Sequence, residues 1–246
     1  MPVRESEPRF LEPLLGIVFD LDGTLVLSHH DFGRMRAEVI RLAERSGVPS
    51  GRLSVQEPIH RIVEATREEL RNSGAPDGVF YRFEAEYHRR VDAIELEALP
   101  RTVAREGAMA LLKALTGRGF RLGLLTRSSE EFARKALVKS GLDPYFGYLR
   151  SRSSPGPAKP SPESLLMLLK EMGVPLDRAL FVGDHLIDAE CATRARVRFY
   201  AVLPDPSEPT AATMTRDRFL AAGASAIARD LPELTRQLNV AAAPAS

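Results

Sequence analysis

The chain of 246 residues carries 34 lysines and arginines against 33 aspartates and glutamates, a formal charge of +1, and 44% of it is hydrophobic. That balance gives no basic footprint for nucleic acid and no patch for an anionic membrane surface, so chemistry on small molecules is favoured. Length and apolar content suffice for one sizeable core plus a smaller appended unit. A single cysteine, Cys191, excludes an internal disulfide framework, fits a reducing compartment and reads as a small buried hydrophobe.

In chain order, Met1 to Pro8 is charged and lacks the apolar centre of a signal peptide, and no later stretch reaches the roughly 18 uninterrupted apolar residues of a membrane span. A cytoplasmic protein with no membrane partner is expected. Leu14 to Phe19 reads as a buried strand. After Thr24-Leu25-Val26 come charged segments of helical period, about Asp31 to Ser46, Val55 to Asn72 and Gly78 to Leu99. In the second, Ile59, Ile62, Val63 and Leu70 form an apolar stripe opposite Arg61, Glu64, Arg67 and Glu68. These segments predict an all-helical insertion of four-helix type, with His29 and His30 solvated in the hinge leading to it.

From Pro100 helical and strand-like pieces alternate, as in βα units around a parallel sheet. Thr102 to Leu115 reads as helix, Phe120 to Thr126 as strand, Glu130 to Ser140 and Pro162 to Met172 as helices, and Ala179 to Val182 as strand. Leu186 to Arg194 is then expected as helix, Val197 to Leu203 as strand, Pro204 to Pro209 as an exposed loop, and Ala224 to Leu238 as a last βα pair. The ending Ala241 to Ser246 has nothing large to bury and is expected to fray. The expected domains are a discontinuous Rossmann-like core of residues 1–26 and 100–246 and a helical cap of residues 27–99.

In an open α/β sheet, ligands bind beyond the carboxyl ends of the strands. Three strand-like runs here lead directly into polar groups: Asp20-Leu21-Asp22-Gly23-Thr24, Thr126-Arg127-Ser128, and Gly183-Asp184-His185-Leu186-Ile187-Asp188. Lys159 stands in the loop Ser153 to Pro160. Asp20 and Asp22, two apart, would share a face if the strand continued, and Gly23 would let the chain turn away. Carboxylates at Asp20, Asp184 and Asp188, with a backbone carbonyl, are hard oxygen ligands of the kind Mg²⁺ prefers. Thr126 and Lys159 add a hydroxyl donor and a positive charge for an anion. Taken alone, Asp184 and Asp188 could instead be an N-cap and a first-turn acid of a helix.

The order DxDGT, strand-Thr, Lys-Pro and GDxxxD resembles the haloacid dehalogenase superfamily, in particular its Mg²⁺-dependent phosphatases with a helical cap inserted after the first motif. The likeness covers nearly the whole chain. It implies an α/β Rossmann-like three-layer core with a parallel sheet. It also implies hydrolysis of a small phosphorylated metabolite by way of an aspartyl-phosphate on Asp20. Asp22 would then protonate the leaving oxygen and later deprotonate water. Thr126 would bind the phosphoryl oxygens, and Lys159 would neutralise charge and keep Asp20 ionised. Arg127, beside Thr126, reads either as a substrate contact or equally as a surface or salt-bridged arginine. Mg²⁺ would sit on Asp20, the backbone carbonyl of Asp22, Asp184 and Asp188. His185 reads as a bystander.

Between Leu27 and Leu99 the chain has no lysine, which removes the phosphonate-cleaving relatives that need one there and weakens a sugar-phosphate mutase reading. That mutase stays as the alternative, with a non-catalytic phosphate-binding regulator behind it. Sugar phosphates, phosphoglycolate and nucleotide monophosphates are all open as substrates, and oligomeric state is open too. Two departures from the family pattern stand out: Leu27-Ser28 where many relatives have Asp-Ser, and Ala192-Thr193-Arg194-Ala195-Arg196 in place of an Ala-Ala-Gly ending.

Overall fold

A computed structural model describes residues 13–208 and 210–239; the expected fraying of the last six residues lies outside them. Two compact units emerge from the contacts, one built from residues up to Ser28 and from Thr102 onward, the other spanning His29–Arg101.

The sheet unit begins with β1 (Gly16–Phe19), whose four residues are all buried. An unbroken apolar run is what a strand covered on both faces requires. The short β2 (Val26–Leu27) follows a turn and pairs antiparallel with β3 (Val103–Ala104). Both short strands belong to the sheet unit.

The helical unit contains α1 (Phe32–Arg45), α2 (Ile59–Asn72) and α3 (Asp77–Ala98). Asp31 caps α1, its side chain accepting from the Arg34 N–H. Among the described residues there are three α-helices here rather than a four-helix arrangement, because the span around Pro49, Gly51 and Pro58 is spent on turns. The expected stripe on α2 is inward: Ile62 and Leu70 are buried among Met35, Val39, Phe80, Phe83 and Val91. His30, expected to be solvated, is instead buried and packs edge-on against Phe32 at 5.6 Å between ring centres.

After β3 the sheet unit continues with α4 (Ala108–Gly117), β4 (Arg121–Leu125), α5 (Glu130–Lys139), β5 (Tyr148–Arg150) and α6 (Pro162–Met172). It finishes with β6 (Ala179–Gly183), α7 (Leu186–Ala195), β7 (Arg198–Val202), α8 (Arg216–Ala221), β8 (Ala226–Ala228) and α9 (Leu231–Gln237). The helix expected from Thr102 starts only at Ala108. Gly107 at its N-cap sits at φ 83°, and Val103 and Ala104 are committed to β2. The short β5 and α8 were not anticipated, being three and six residues long.

The six strands form one parallel sheet in the order β5-β4-β1-β6-β7-β8. It is flanked by helices in the Rossmann-like α/β manner, with Phe199 packed edge-on against Phe181 and at a tilt against Phe219 in one hydrophobic core. The order reverses beside β1, the switch point at which such sheets bind ligands. Register puts Phe19 level with Leu124 on one side and Val182 on the other. Asp20 therefore emerges between the ends of β4 and β6, one step before Thr126 and Asp184.

Candidate active site

Asp20 leaves β1 with its N–H still donating to Val182 O, 2.9 Å, so the last strand bond fixes its backbone. Its carboxylate, that of Asp184 and that of Asp188 are buried, with one oxygen from each lying within 4.8 Å of the others. Lys159, 3% exposed, donates from Nζ to Asp20 Oδ1 at 2.5 Å and to Asp188 Oδ1 at 2.6 Å. The structure thus brings together four of the residues singled out from sequence. The Lys159–Pro160 peptide bond is cis.

Two glycines make room for these carboxylates. A Cβ on Gly23, which sits at φ 83°, would come within 2.3 Å of Asp184 Oδ2, and one on Gly183 within 2.5 Å of Asp188 Oδ2. Asp188 is the third residue of α7 and closes a capping box: His185 Nδ1 accepts from Ile187 N–H, and Asp188 Oδ2 accepts from His185 N–H. Asp188 therefore fills the structural role open to it from sequence and also holds Lys159. His185 is the N-cap rather than Asp184, and burial holds its imidazole below the ordinary histidine value.

The electrostatics follow from burial. Desolvation pushes Asp20 up to about 7; Lys159 opposes the rise and the neighbouring Asp188 charge adds to it. Burial also raises Asp184 well above the ordinary carboxylate range, with Asp20 and Asp188 adding repulsion. Burial would lower Lys159, but Asp188 and Asp20 outweigh it and its value rises, so the lysine is a permanent cation. Three clustered carboxylates against one lysine leave an excess of negative charge, and all the donors are hard oxygens. This set fits a divalent cation.

Thr126, 2% exposed, follows β4; its Oγ1 accepts from Ser128 N–H at 3.1 Å and its own N–H is anchored to Arg150 O at 3.0 Å. Arg127 is half-buried and its carbonyl accepts from Arg152. Asp22 points its Oδ1 at the Ser28 hydroxyl, which donates to it. Thr24 Oγ1 donates to Asp184 Oδ1 at 2.6 Å. The roles of Thr24 and Ser28 were not read from sequence. Thr24 was visible as the final residue of the DxDGT run, whereas nothing local marks Ser28 as the partner of a carboxylate six residues back.

Comparison with known proteins gives the family. Residues 14–196 match the model of the haloacid dehalogenase-like hydrolase family, and the chain belongs to that family. Within it the chain is an enzyme of the phosphatase kind. It is 31% identical over 198 residues to a phosphoglycolate phosphatase of Pseudomonas syringae pathovar tomato, covering 76% of this chain and 68% of that one. It is 33% identical over 198 residues to a phosphoglycolate phosphatase of Rhodospirillum rubrum, covering 74% and 76%. The crystal structure of a hydrolase from Pseudomonas syringae shares the fold, with a TM-score of 0.65 at 21% identity over 93% of this chain and 100% of that one.

Proposed function

We propose that this phosphatase hydrolyses a small phosphate monoester in two steps through a phosphorylated Asp20, with Mg²⁺ held by Asp20, Asp184, Asp188 and the backbone carbonyl of Asp22. The observation that carries this reading is Lys159 Nζ bridging Asp20 and Asp188 within a buried group of three carboxylates. Bound there, the cation would offset the charge of the carboxylates against that of the phosphoryl group.

The chain's own residues would do the rest. Asp20, in the carboxylate form that Lys159 favours and burial opposes, attacks phosphorus through a carboxylate oxygen as the bond to the leaving oxygen breaks. Asp22 gives that oxygen a proton, then takes one from the water that attacks the acyl phosphate, releasing phosphate and restoring Asp20. Thr126 donates its hydroxyl to the phosphoryl oxygens, Lys159 balances the developing charge, and Arg127 contacts the remainder of the substrate. Asp188 keeps Lys159 in place. The names borne by the two relatives make 2-phosphoglycolate the first natural ester to try.

The test uses p-nitrophenyl phosphate and then 2-phosphoglycolate. Hydrolysis is expected to require Mg²⁺ and to fall at least about 1,000-fold in Asp20→Asn, as loss of a nucleophile does. Undiminished turnover by that variant, or with all divalent metal chelated, refutes the mechanism.

A further inference from the structure

Arg105 lies between β3 and α4, in a stretch that sequence patterning assigns to a helix, yet it is only 6% exposed. Its guanidinium donates from Nη1 to Gly23 O at 2.6 Å and from Nη2 to Leu203 O at 2.5 Å, while its own N–H donates to Leu25 O at 2.9 Å. One side chain thus ties the turn after Asp22 to the end of β7. Both acceptors of the guanidinium are backbone carbonyls. An apolar side chain of similar size would fill the same space without burying a charge, so packing alone does not account for an arginine here.

What the fork grips is the peptide between Gly23 and Thr24. Asp22 stands one residue before Gly23. Immediately after it stands Thr24, whose hydroxyl donates to Asp184 Oδ1. Gly23 itself has no slack, since a Cβ there would meet Asp184 Oδ2 at 2.3 Å. A rotation of this peptide would shift the Asp22 side chain and the Thr24 hydrogen bond together. Asp184, Asp205, Asp230 and Glu208 act on the guanidinium through their charge, favouring its cationic form, while burial opposes it.

We propose that Arg105 is a positioning residue for phosphoryl transfer: by holding Gly23 O and Leu203 O it fixes the turn that aims Asp22 and, through Thr24, orients Asp184. The proposal rests on the assignment of Asp22 and Asp184 above. It concerns the reaction step rather than substrate capture, so its loss is read in kcat.

The experiment measures p-nitrophenyl phosphate hydrolysis with Mg²⁺ by Arg105→Met, Arg105→Lys and Asp20→Asn, each well below its own melting temperature, with inhibition by inorganic phosphate followed in parallel. Arg105→Met keeps the bulk and loses both donors. Its kcat is expected to fall by up to about 100-fold, the scale of a small misplacement of a reacting group, with KM and phosphate inhibition near wild type. Arg105→Lys, which can reach one carbonyl, is expected to fall between. Millimolar guanidinium added to Arg105→Ala is expected to raise kcat without moving the melting temperature, whereas equal sodium chloride does neither. If Arg105→Ala does not fold, the Met and Lys variants decide. Wild-type kcat in both of those, with Asp20→Asn inactive, overturns the inference while leaving the proposed mechanism standing. Full activity in Asp20→Asn overturns the mechanism itself. Activity and melting temperature that fall and recover only together mark Arg105 as merely structural and overturn the inference as well.

Discussion

The two units of this chain handle charge in opposite ways. In the helical unit the ion pairs Arg34–Glu97, Arg61–Glu64 and Arg89–Glu86 lie at the surface, and the interior around Met35, Ile62, Phe83 and Val91 is apolar, with Glu95 of α3 the charged exception among the described residues. In the sheet unit Asp20, Asp184, Asp188, Lys159 and Arg105 are all buried. Exposed pairs cost little to form and contribute little. Buried charges oppose folding unless closely paired, and their gathering in one unit is what makes it the candidate site.

The strongest way to test this contrast is to remove the central cation. In Lys159→Met the buried carboxylates lose the lysine that bridges Asp20 and Asp188, and kcat for an aryl phosphate is expected to drop by roughly 100-fold or more; activity near wild type would deny the cluster its role. In the helical unit the large effect comes from apolar packing instead. Ile62→Ala is expected to cost about 2–5 kcal/mol of stability in a denaturant titration, while Arg34→Ala leaves the melting temperature where it was. A marked loss in Arg34→Ala with a mild one in Ile62→Ala would invert the comparison.

The metal-free protein offers a subtler test. Asp20 is raised from 3.8 to about 7, chiefly by burial. A raised carboxylate contributes stability that is fully present below its ordinary value and lost as pH climbs through the folded value. The melting temperature without metal is therefore expected to fall between about pH 5 and pH 8, less steeply in Asp20→Asn. Added Mg²⁺ is expected to stabilise most at the alkaline end, where the carboxylates are free to bind it. A metal-free curve flat over that range, or one that rises, contradicts the electrostatic account.

The smallest expected effect sits at the end of α7. Arg196 caps that helix in the left-handed conformation at φ 57°, a place glycine suits better. Arg196→Gly is expected to raise the melting temperature by roughly 1–2 °C. This is the position where sequence showed a departure from the family's glycine, and the backbone keeps the conformation that a glycine there would favour.

Much of the sheet unit was legible because its signals are local. Continuous apolar runs mark β1, β4 and β6, and Gly173, at φ 63°, ends α6 where a glycine stop was expected. The polar residues at the strand ends could be read in order, so Asp20, Thr126, Lys159, Asp184 and Asp188 could be found before their geometry was known. What escaped depends on pairing between distant segments. Val103 and Ala104 became a strand only because Val26 and Leu27 lie beside them. Ser28 and Arg105 look like surface residues in sequence and acquire partners only in three dimensions. His30 escaped differently: it is buried although the ring it packs against, Phe32, lies only two residues on.

The central claim is that Asp20 carries the phosphoryl group. The most direct test is an acid quench of the Mg²⁺-loaded enzyme during turnover of ³²P-labelled p-nitrophenyl phosphate, using Asp22→Asn to slow hydrolysis of the intermediate. The account predicts protein-bound, hydroxylamine-labile label mapping to the peptide that contains Asp20, and none in Asp20→Asn. Label on another residue, or unchanged turnover in Asp20→Asn without label, would contradict it.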